Sequence, residues 1–166
     1  MQNLRMRVMR ESDAAAIAAL NETAIPAVNS LTEQDVLALL EMCDVAVVAT
    51  NKEQQILAFL LSLCGGMPYE SENYRWFEDR GVRHQYIDRI VVAPGARGTG
   101  VGRALYESVF ERAREKGAND VTCEVNIDPP NPGSLAFHDR LGFRRLGEQD
   151  TKGGTVRVAL LARSVY

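Results

Sequence analysis

Apolar and polar positions alternate or recur along the chain in ways that predict a mixed α/β protein. Residues 4–9 alternate apolar side chains with arginines, the period of two that is typical of a half-exposed strand. Apolar residues then recur at helical spacing in a first helix that Ser12 or Asp13 can cap and that Pro26 is expected to end. A second helix is predicted to begin after Thr32. Further strands are predicted at 45–50, 56–63, 86–93, 121–127, 143–146 and 155–162, and further helices at 100–116 and between Asn131 and Gly142.

The spacing of these elements indicates how some of them pair and where a functional loop lies. The strands at 45–50 and 56–63 are separated only by a short polar segment, so we expect an antiparallel hairpin. Residues 65–84 form the longest stretch without a strand signal and contain aromatic residues among many charges. Loops of this length usually carry function.

Composition limits the classes of protein that fit this pattern. A chain of 166 residues with 46% apolar and 25% charged residues suits one globular domain over residues 1–166. The formal charge of -3 gives no net positive field to attract phosphate backbones, which argues against nucleic acid as a partner. No run approaches the roughly 18 apolar residues of a membrane span, and no signal segment follows the first arginines.

The cysteines add a prediction about location. Cys43, Cys64 and Cys123 lie in apolar runs without C-x-x-C spacing, which argues against a disulfide framework and against a zinc site. We therefore expect a cytoplasmic protein that holds no metal. The sequence says little about oligomeric state and leaves a homodimer open.

Residues 90–105 carry the strongest chemical signal. A β-branched strand stops at Pro94, and the chain then turns through glycines and enters the helix predicted at 100–116. Glycines let the backbone approach a ligand closely, and the first amides of a helix point outward at the positive end of its dipole. Arg97 and Arg103 add charged donors. A pyrophosphate group fits this loop, although a glycine-rich turn that merely precedes a helix is the plain alternative.

Two other phosphate-binding motifs fit this segment less well. A Rossmann fingerprint would place G-x-G-x-x-G in the first strand and turn of the domain, whereas this loop lies in mid-chain with a different glycine spacing. A P-loop would need G-K-[ST] after the glycines, and none follows. A nicotinamide-dependent oxidoreductase is therefore disfavoured.

Two motifs resemble the GNAT N-acetyltransferase superfamily. Arg97-x-x-Gly100-x-Gly102 is similar to that family's coenzyme A loop, [QR]-x-x-G-x-[GA]. The segment Asn131-Pro-Gly-Ser134-Leu-Ala-Phe137-His138-Asp-Arg-Leu-Gly142-Phe143 is similar to the family's N-x-x-[SA]-x-x-F-Y-x-x-x-G-F. The resemblance is detailed over residues 86–147 and extends to the whole chain only through the order of elements.

The resemblance implies a fold, a co-substrate and a reaction. It implies an α/β GNAT acyl-CoA N-acyltransferase fold, in which a mixed, mostly antiparallel sheet of about seven strands is flanked by about four helices and its fourth and fifth strands splay apart. The pantetheine arm of acetyl-CoA inserts there, and an acceptor amine attacks the thioester directly. The implied contacts for acetyl-CoA are Ile90, Val91, Val92, Arg97, Gly98, Thr99, Gly100, Val101, Gly102, Arg103, Asn131, Ser134 and Phe137.

The residues leave alternatives for the implied acid and base. The family's usual tyrosine, which protonates the leaving thiolate, is replaced by His138, whose imidazole is a chemically reasonable donor or a helix-packing side chain. Asp88 is the first candidate for the base that deprotonates the amine, unless it pairs with Arg89 or Arg83. Glu124, on the facing strand, is the second, unless it is a solvated strand residue.

The acceptor is expected to be a primary amine of a small molecule, peptide or protein. Tyr69, Tyr74 and Trp76 are candidate acceptor contacts, although aromatic residues more often pack on the core. Acidic residues in the same segment favour a cationic acceptor. A non-catalytic acyl-CoA sensor or interaction module, which kept the loop but lost turnover with the tyrosine, is the alternative function.

Overall fold

The computed structural model of the protein describes residues 3–166. Seven strands are found at β1 Arg5–Val8, β2 Val45–Thr50, β3 Ile56–Cys64, β4 His84–Val92, β5 Asp120–Asp128, β6 Arg144–Thr151 and β7 Val156–Ser164. The α-helices are α1 Ala14–Glu22, α2 Glu33–Met42, α3 Glu72–Asp79, α4 Val101–Glu115 and α5 Pro132–Arg140.

The strands form one mixed sheet in the order β1-β2-β3-β4-β5-β7-β6. The predicted hairpin is confirmed, because β2 and β3 pair antiparallel. β4 and β5 pair in parallel, from His84 opposite Asp120 to Tyr86 opposite Thr122. This parallel ladder contains three residue pairs, and both strands continue for six residues beyond it. The parallel pair therefore stands inside a mostly antiparallel sheet, as predicted.

The described residues group into two compact units. The first contains the chain up to Leu63 together with Ile87–Arg112, and its core is built from fully buried side chains of α1, α2, β2, β3 and α4. The second contains Cys64–Tyr86 and Ala113–Tyr166, with a core from α3, β5 and β7 and the first residues of β4. The single domain expected over residues 1–166 stays a prediction.

Local sequence explains most element boundaries. The Thr32 hydroxyl accepts the amide of Asp35 while the Asp35 carboxylate accepts the amide of Thr32, a capping box that starts α2. The Asn131 side chain accepts the amide of Ser134 at the start of α5. Gly117 after α4 and Gly142 after α5 have φ of 68° and 88°, the left-handed conformation with which helices commonly end.

Three elements differ from the sequence prediction. α3 forms within 65–84, where Ser71 caps it and Tyr74 and Phe77 bury one face. α1 ends at Glu22, earlier than Pro26, and the amides of Thr23 and Ala24 donate to carbonyls three residues back rather than four, the tightening usual at a helix end. β6 continues to Thr151, beyond the predicted end at 146. It is the last strand in the strand order, where polar side chains can face solvent, and several of its polar side chains are exposed.

Candidate functional site

The loop between β4 and α4 has the geometry of an anion cradle. Gly98 and Gly100 have φ of 75° and 84°, and nothing lies within 4 Å of the place where a Cβ of either would stand. The backbone there faces open space, so a ligand can approach it closely. The first backbone amides of α4 have no carbonyl acceptor within the helix, because no helical turn precedes them. They therefore point outward from the helix N-terminus. This arrangement fits the predicted pyrophosphate site.

Side chains of the same loop frame the cradle. Arg97 and Arg103 are exposed, which suits donors that reach for a charged ligand. Thr99 is also exposed, and its hydroxyl donates to the carbonyl of Ala96 at 2.6 Å, which fixes the turn before α4. Val101, in contrast, is buried and anchors the first turn of the helix. The positive charge and the glycine backbone therefore lie in one continuous segment.

The strand before the loop offers backbone rather than side chains. Val91 is buried at 3% exposure, whereas Ile90 and Val92 are half-buried. Just beyond the strand, the amide of Ala93 donates to the carbonyl of Leu57 on β3 at 2.8 Å, which holds the strand end in place. These features agree with a fixed β4 end, and the pantetheine contacts of Ile90–Val92 remain a prediction.

Asp88 lies in a buried polar network of the first unit. Its carboxylate accepts from Nε of Arg89 at 2.8 Å, and the two side chains are 4% and 6% exposed. Nη1 of Arg89 donates to the side chain of Asn21 at 3.1 Å and to the carbonyl of Asn29 at 3.0 Å. Asp88 therefore forms the ion pair with Arg89 that was the alternative to a base role. Its place in the network favours a structural role.

Cys43 of the same unit is not prepared for nucleophilic chemistry. Burial, with the negative charges of Asp88 and Asp44, raises the pKa of its thiol to about 12. The thiol therefore stays protonated at neutral pH, whereas a covalent mechanism would need the thiolate.

His138 lies in the second unit, buried between two aromatic side chains. It is 3% exposed, and the rings of Phe137 and Phe143 meet it edge to face at centroid distances of 5.3 Å. Its Nδ1 lies 2.7 Å from the carbonyl oxygen of Ser134. Burial lowers the pKa of the imidazole, and the hydrogen bond to Ser134 opposes this only in part. The ring is therefore neutral at pH 7.

The other residues of the second motif build the start of α5. Asn131 caps the helix, and the hydroxyl of Ser134 lies 3.4 Å from Nδ1 of His138. Phe137 is half-buried beside the same ring. These contacts account for the motif through helix structure, and the predicted pantetheine contacts of Asn131, Ser134 and Phe137 remain predictions.

Sequence reasoning missed a partner of Glu124. The hydroxyl of Tyr86 lies 2.9 Å from one carboxylate oxygen of Glu124 and 2.7 Å from the other. Tyr86 is fully buried and Glu124 is half-buried, so Glu124 is not a freely solvated strand residue. The alternation of side chains on the two strands could have suggested this pair, but only with the parallel register known.

The aromatic residues expected at the acceptor site have different surroundings. Tyr74 is 1% exposed, and its hydroxyl donates to the carbonyl of Cys64 at 2.7 Å and accepts the amide of Met67 at 3.0 Å. Tyr69 and Trp76 are half-buried, against Tyr74 and Phe77 respectively. Tyr74 therefore packs in the core, while Tyr69 and Trp76 keep exposed surface with which an acceptor could be contacted.

Two other features of residues 3–166 bear on the predicted partners. No group of three or more His, Cys, Asp or Glu residues in this range is placed to hold a metal ion. None of its helices has the length and apolar character needed to cross a membrane. The expectations of no metal and no nucleic-acid partner remain predictions.

Comparison with known proteins decides the family. Residues 16–143 match the Acetyltransferase (GNAT) family, which is more than half of the chain. The chain belongs to this family. The predicted family and fold class are therefore confirmed, and its relatives carry the enzyme class, acyltransferase, that the sequence predicted.

Individual relatives of this GNAT protein match shorter segments. The phosphinothricin N-acetyltransferase of Streptomyces coelicolor is 38% identical over 58 residues, which cover 35% of this chain and 33% of that protein. The streptothricin acetyltransferase of Streptomyces lavendulae is 40% identical over 62 residues, 37% of this chain and 31% of that protein. The chain thus spans about a third of the length of these curated relatives.

Solved structures match the whole fold. Ard1 from Thermoplasma volcanium superimposes with a TM-score of 0.78 at 17% identity, covering 98% of each chain. The yncA acetyltransferase of Salmonella typhimurium, solved with its cofactor acetyl-CoA, gives a TM-score of 0.71 at 17% identity over 99% of this chain and 95% of that one. At such low identity the likeness is one of fold.

Proposed function

We propose that the protein is an N-acetyltransferase that moves an acetyl group from acetyl-CoA to a primary amine by direct attack. The observation that carries the proposal is the loop of residues 97–103, where two left-handed glycines, a helix N-terminus and two exposed arginines lie together. Family membership supports the same co-substrate, and one structural neighbour was solved with acetyl-CoA.

In this proposal groups of the chain bind acetyl-CoA, and the acceptor amine is the nucleophile that attacks it. Backbone amides at Gly100–Arg103 and the guanidinium of Arg97 hold the pyrophosphate through charge-assisted hydrogen bonds. The thioester supplies an activated acetyl group when bound. The amine must lose its proton before it attacks, because an ammonium has no lone pair.

Binding of coenzyme A is the direct test of the proposal. Titration calorimetry on the folded protein should show saturable heat with coenzyme A and with acetyl-CoA. Desulfo-coenzyme A, which keeps the pyrophosphate, is the control for contacts to the thiol. An absence of binding at millimolar ligand, with circular dichroism confirming the fold, would overturn the assignment.

The acceptor is then found by measuring thiol release. Two matched relatives are named for phosphinothricin and streptothricin, so the panel begins with amino acids and other small amines and continues to peptides with a free N-terminus. Release of coenzyme A thiol that depends on both acetyl-CoA and one amine identifies the acceptor. A product mass increased by one acetyl group confirms the N-acetyl bond.

A second candidate function rests on His138. This histidine occupies the position where the GNAT family usually has a tyrosine, and it is buried against Phe137 and Phe143. A protein that had lost its thiolate donor could still bind acyl-CoA as a sensor or interaction module. Tight coenzyme A binding without acetyl transfer to any amine of the panel would favour this function over the enzyme.

We also propose that the protein works in the cytoplasm. The thiols of Cys43, Cys64 and Cys123 are not joined in disulfide bonds, and unoxidised thiols persist in a reducing compartment. Fractionation of cells that express the native protein, followed by immunoblotting, tests this location. Recovery in a membrane or extracellular fraction would contradict it.

A further inference from the structure

The outer edge of β1 has no neighbouring strand in the part of the chain that the structure describes. β1 stands first in the strand order and pairs with β2 alone among the strands of residues 3–166. Its side chains agree with an open edge, because Val8 is 72% exposed and Met6 is 40% exposed. The first unit therefore presents the edge of a strand to solvent.

The hydrogen-bond pattern determines which backbone groups lie on this edge. The amide of Met9 donates to the carbonyl of Ala46 at 2.9 Å, which continues the register of β1 with β2. In an antiparallel ladder every second residue exchanges both of its bonds with the neighbouring strand. The amides and carbonyls of Met6 and Val8 therefore point to the outer edge. The carbonyl of Val8 already accepts Nη1 of Arg7 at 3.1 Å, and a carbonyl oxygen has a second lone pair for another donor.

The same edge carries positive charge in an acidic chain. Residues 3–10 contain three arginines and no acidic residue, whereas the whole chain has a formal charge of -3. Arg7 pairs with Asp13 at 2.8 Å, while Arg5 and Arg10 are exposed. A segment that lies beside β1 therefore meets a positive field. This field favours acidic side chains in a partner and opposes pairing with β1 of a second copy.

The side chains of β1 alternate between the two faces of the sheet. Arg5 and Arg7 lie on one face, and Met6 and Val8 lie on the other. A strand added to the outer edge would place its side chains directly opposite these residues. The complementary segment therefore alternates acidic residues, which lie opposite the arginines, with apolar residues, which lie opposite Met6 and Val8.

We propose that the outer edge of β1 binds an extended, acidic segment of another protein, which adds to the sheet as a further strand. Main-chain hydrogen bonds to Met6 and Val8 supply affinity, and the alternation of arginines with apolar residues selects the partner. The interaction uses no acetyl-CoA, so it is independent of the proposed activity.

Fluorescence anisotropy with a synthetic peptide tests this surface on the full chain. The probe is a fluorescein-labelled peptide in which glutamate and valine alternate over about six residues, the usual length of a strand. It should bind saturably, and added salt should weaken binding because exposed charges are screened. A peptide with lysine in place of glutamate is the control and should not bind. No saturable binding of the glutamate peptide, or equal binding of both peptides, overturns the proposal and leaves the arginines as protection of a bare edge.

Substitutions on β1 separate main-chain pairing from charge. Val8→Pro removes an outward amide, and proline is tolerated on an edge strand where its nitrogen faces solvent. Circular dichroism should therefore stay native while the affinity for the peptide falls by roughly tenfold or more. Val8→Thr keeps the amide and should keep the affinity. Arg5→Glu should weaken binding to a similar extent, whereas Arg144→Glu reverses an exposed arginine of β6 and should not. Unchanged affinity in either Val8→Pro or Arg5→Glu overturns the proposal.

Amide hydrogen exchange reads the same contact in the native chain. The glutamate peptide should slow exchange of the outward amides of Met6 and Val8 and leave that of Arg7, which faces β2, unchanged. Slowed exchange elsewhere in the chain without an effect on these two amides overturns the proposal. Sedimentation equilibrium without peptide tests the other occupant. A dimer that Val8→Pro dissociates would assign the edge to a second copy and overturn the acidic partner.

Discussion

Nδ1 of His138 lies 2.7 Å from the carbonyl oxygen of Ser134, one turn earlier in α5. A carbonyl only accepts, so Nδ1 carries the proton of the neutral ring and Nε2 is left as an acceptor. Protonating a thiolate from Nε2 would need the imidazolium form, which burial disfavours by lowering the pKa. The contact favours the packing role of His138 over the acid role that the motif suggested.

The first prediction is that His138→Ala costs stability more than chemistry. Truncating a buried ring leaves a cavity, and the free energy of unfolding should fall by about 2–4 kcal/mol in urea titrations. Single-turnover acetyl transfer at a temperature where the variant is folded should change less than about threefold. A loss of roughly 10²-fold, largely restored in His138→Tyr, would instead establish the acid role.

The second prediction concerns the pH dependence of stability. The pKa of His138 is lowered in the folded state, so below the ordinary value of 6.5 the unfolded chain binds the proton more readily. Stability is therefore complete above that pH and is lost as pH falls towards the folded pKa. Urea midpoints from pH 7.5 to 5 should fall less steeply for His138→Phe than for the native protein. Equal slopes would show that His138 is not the group responsible.

The third prediction is that Gly100→Val removes coenzyme A binding. A β-branched residue is strained at φ of 84°, and its side chain would project into the open space where the pyrophosphate is proposed to bind. Affinity measured by calorimetry should fall at least tenfold, about 1.4 kcal/mol. Gly154→Val, at φ of 88° in the turn before β7, imposes the same strain and should leave affinity unchanged. A smaller loss in Gly100→Val would refute the loop assignment.

The fourth prediction is that Arg97→Ala weakens coenzyme A binding through charge. The side chain is exposed, so its attraction for a pyrophosphate is screened by salt. The ratio of the native to the variant affinity should be largest at low salt and should shrink as salt is added. Arg144→Ala removes another exposed arginine, from β6, and serves as the control. A loss that is independent of salt would indicate a change in packing.

The fifth prediction is that Asp88 and Arg89 stabilise the fold together as an ion pair. Arg89→Met leaves the buried Asp88 carboxylate without its ion pair and should lower the free energy of unfolding by about 3–5 kcal/mol. Asp88→Asn should cost less, and the double variant should cost less than the sum of the two, as a double-mutant cycle in urea will show. A base role for Asp88 predicts the reverse pattern, in which Asp88→Asn keeps its stability and loses turnover.

The backbone geometry of the loop between β4 and α4 was predictable because its signals are local. The loop is encoded by one continuous segment, in which a strand is followed by a proline, glycines and a helix start. Gly98 and Gly100 adopt the left-handed backbone for which glycine is suited. The β2–β3 hairpin was predictable for the same reason, since two apolar runs flank one short polar turn.

Contacts that depend on strand register or on a short element escaped the sequence. α3 has only two turns, and its buried Tyr74 and Phe77 stand among charged residues, so no long apolar period marks it. The Tyr86–Glu124 pair joins residues far apart in the chain and requires the parallel register of β4 and β5. The orientation of His138 follows from one backbone carbonyl, which residue type alone does not indicate.

The order of strands in the second unit has a consequence for how the protein is made. β7 lies between β5 and β6 and pairs with both, yet it follows both in the chain. During synthesis, the ribosome exposes β5 and β6 before the strand that joins them has left the exit tunnel. Until β7 emerges, the nascent chain therefore holds β5 with one edge unpaired, and unpaired strand edges are prone to aggregation.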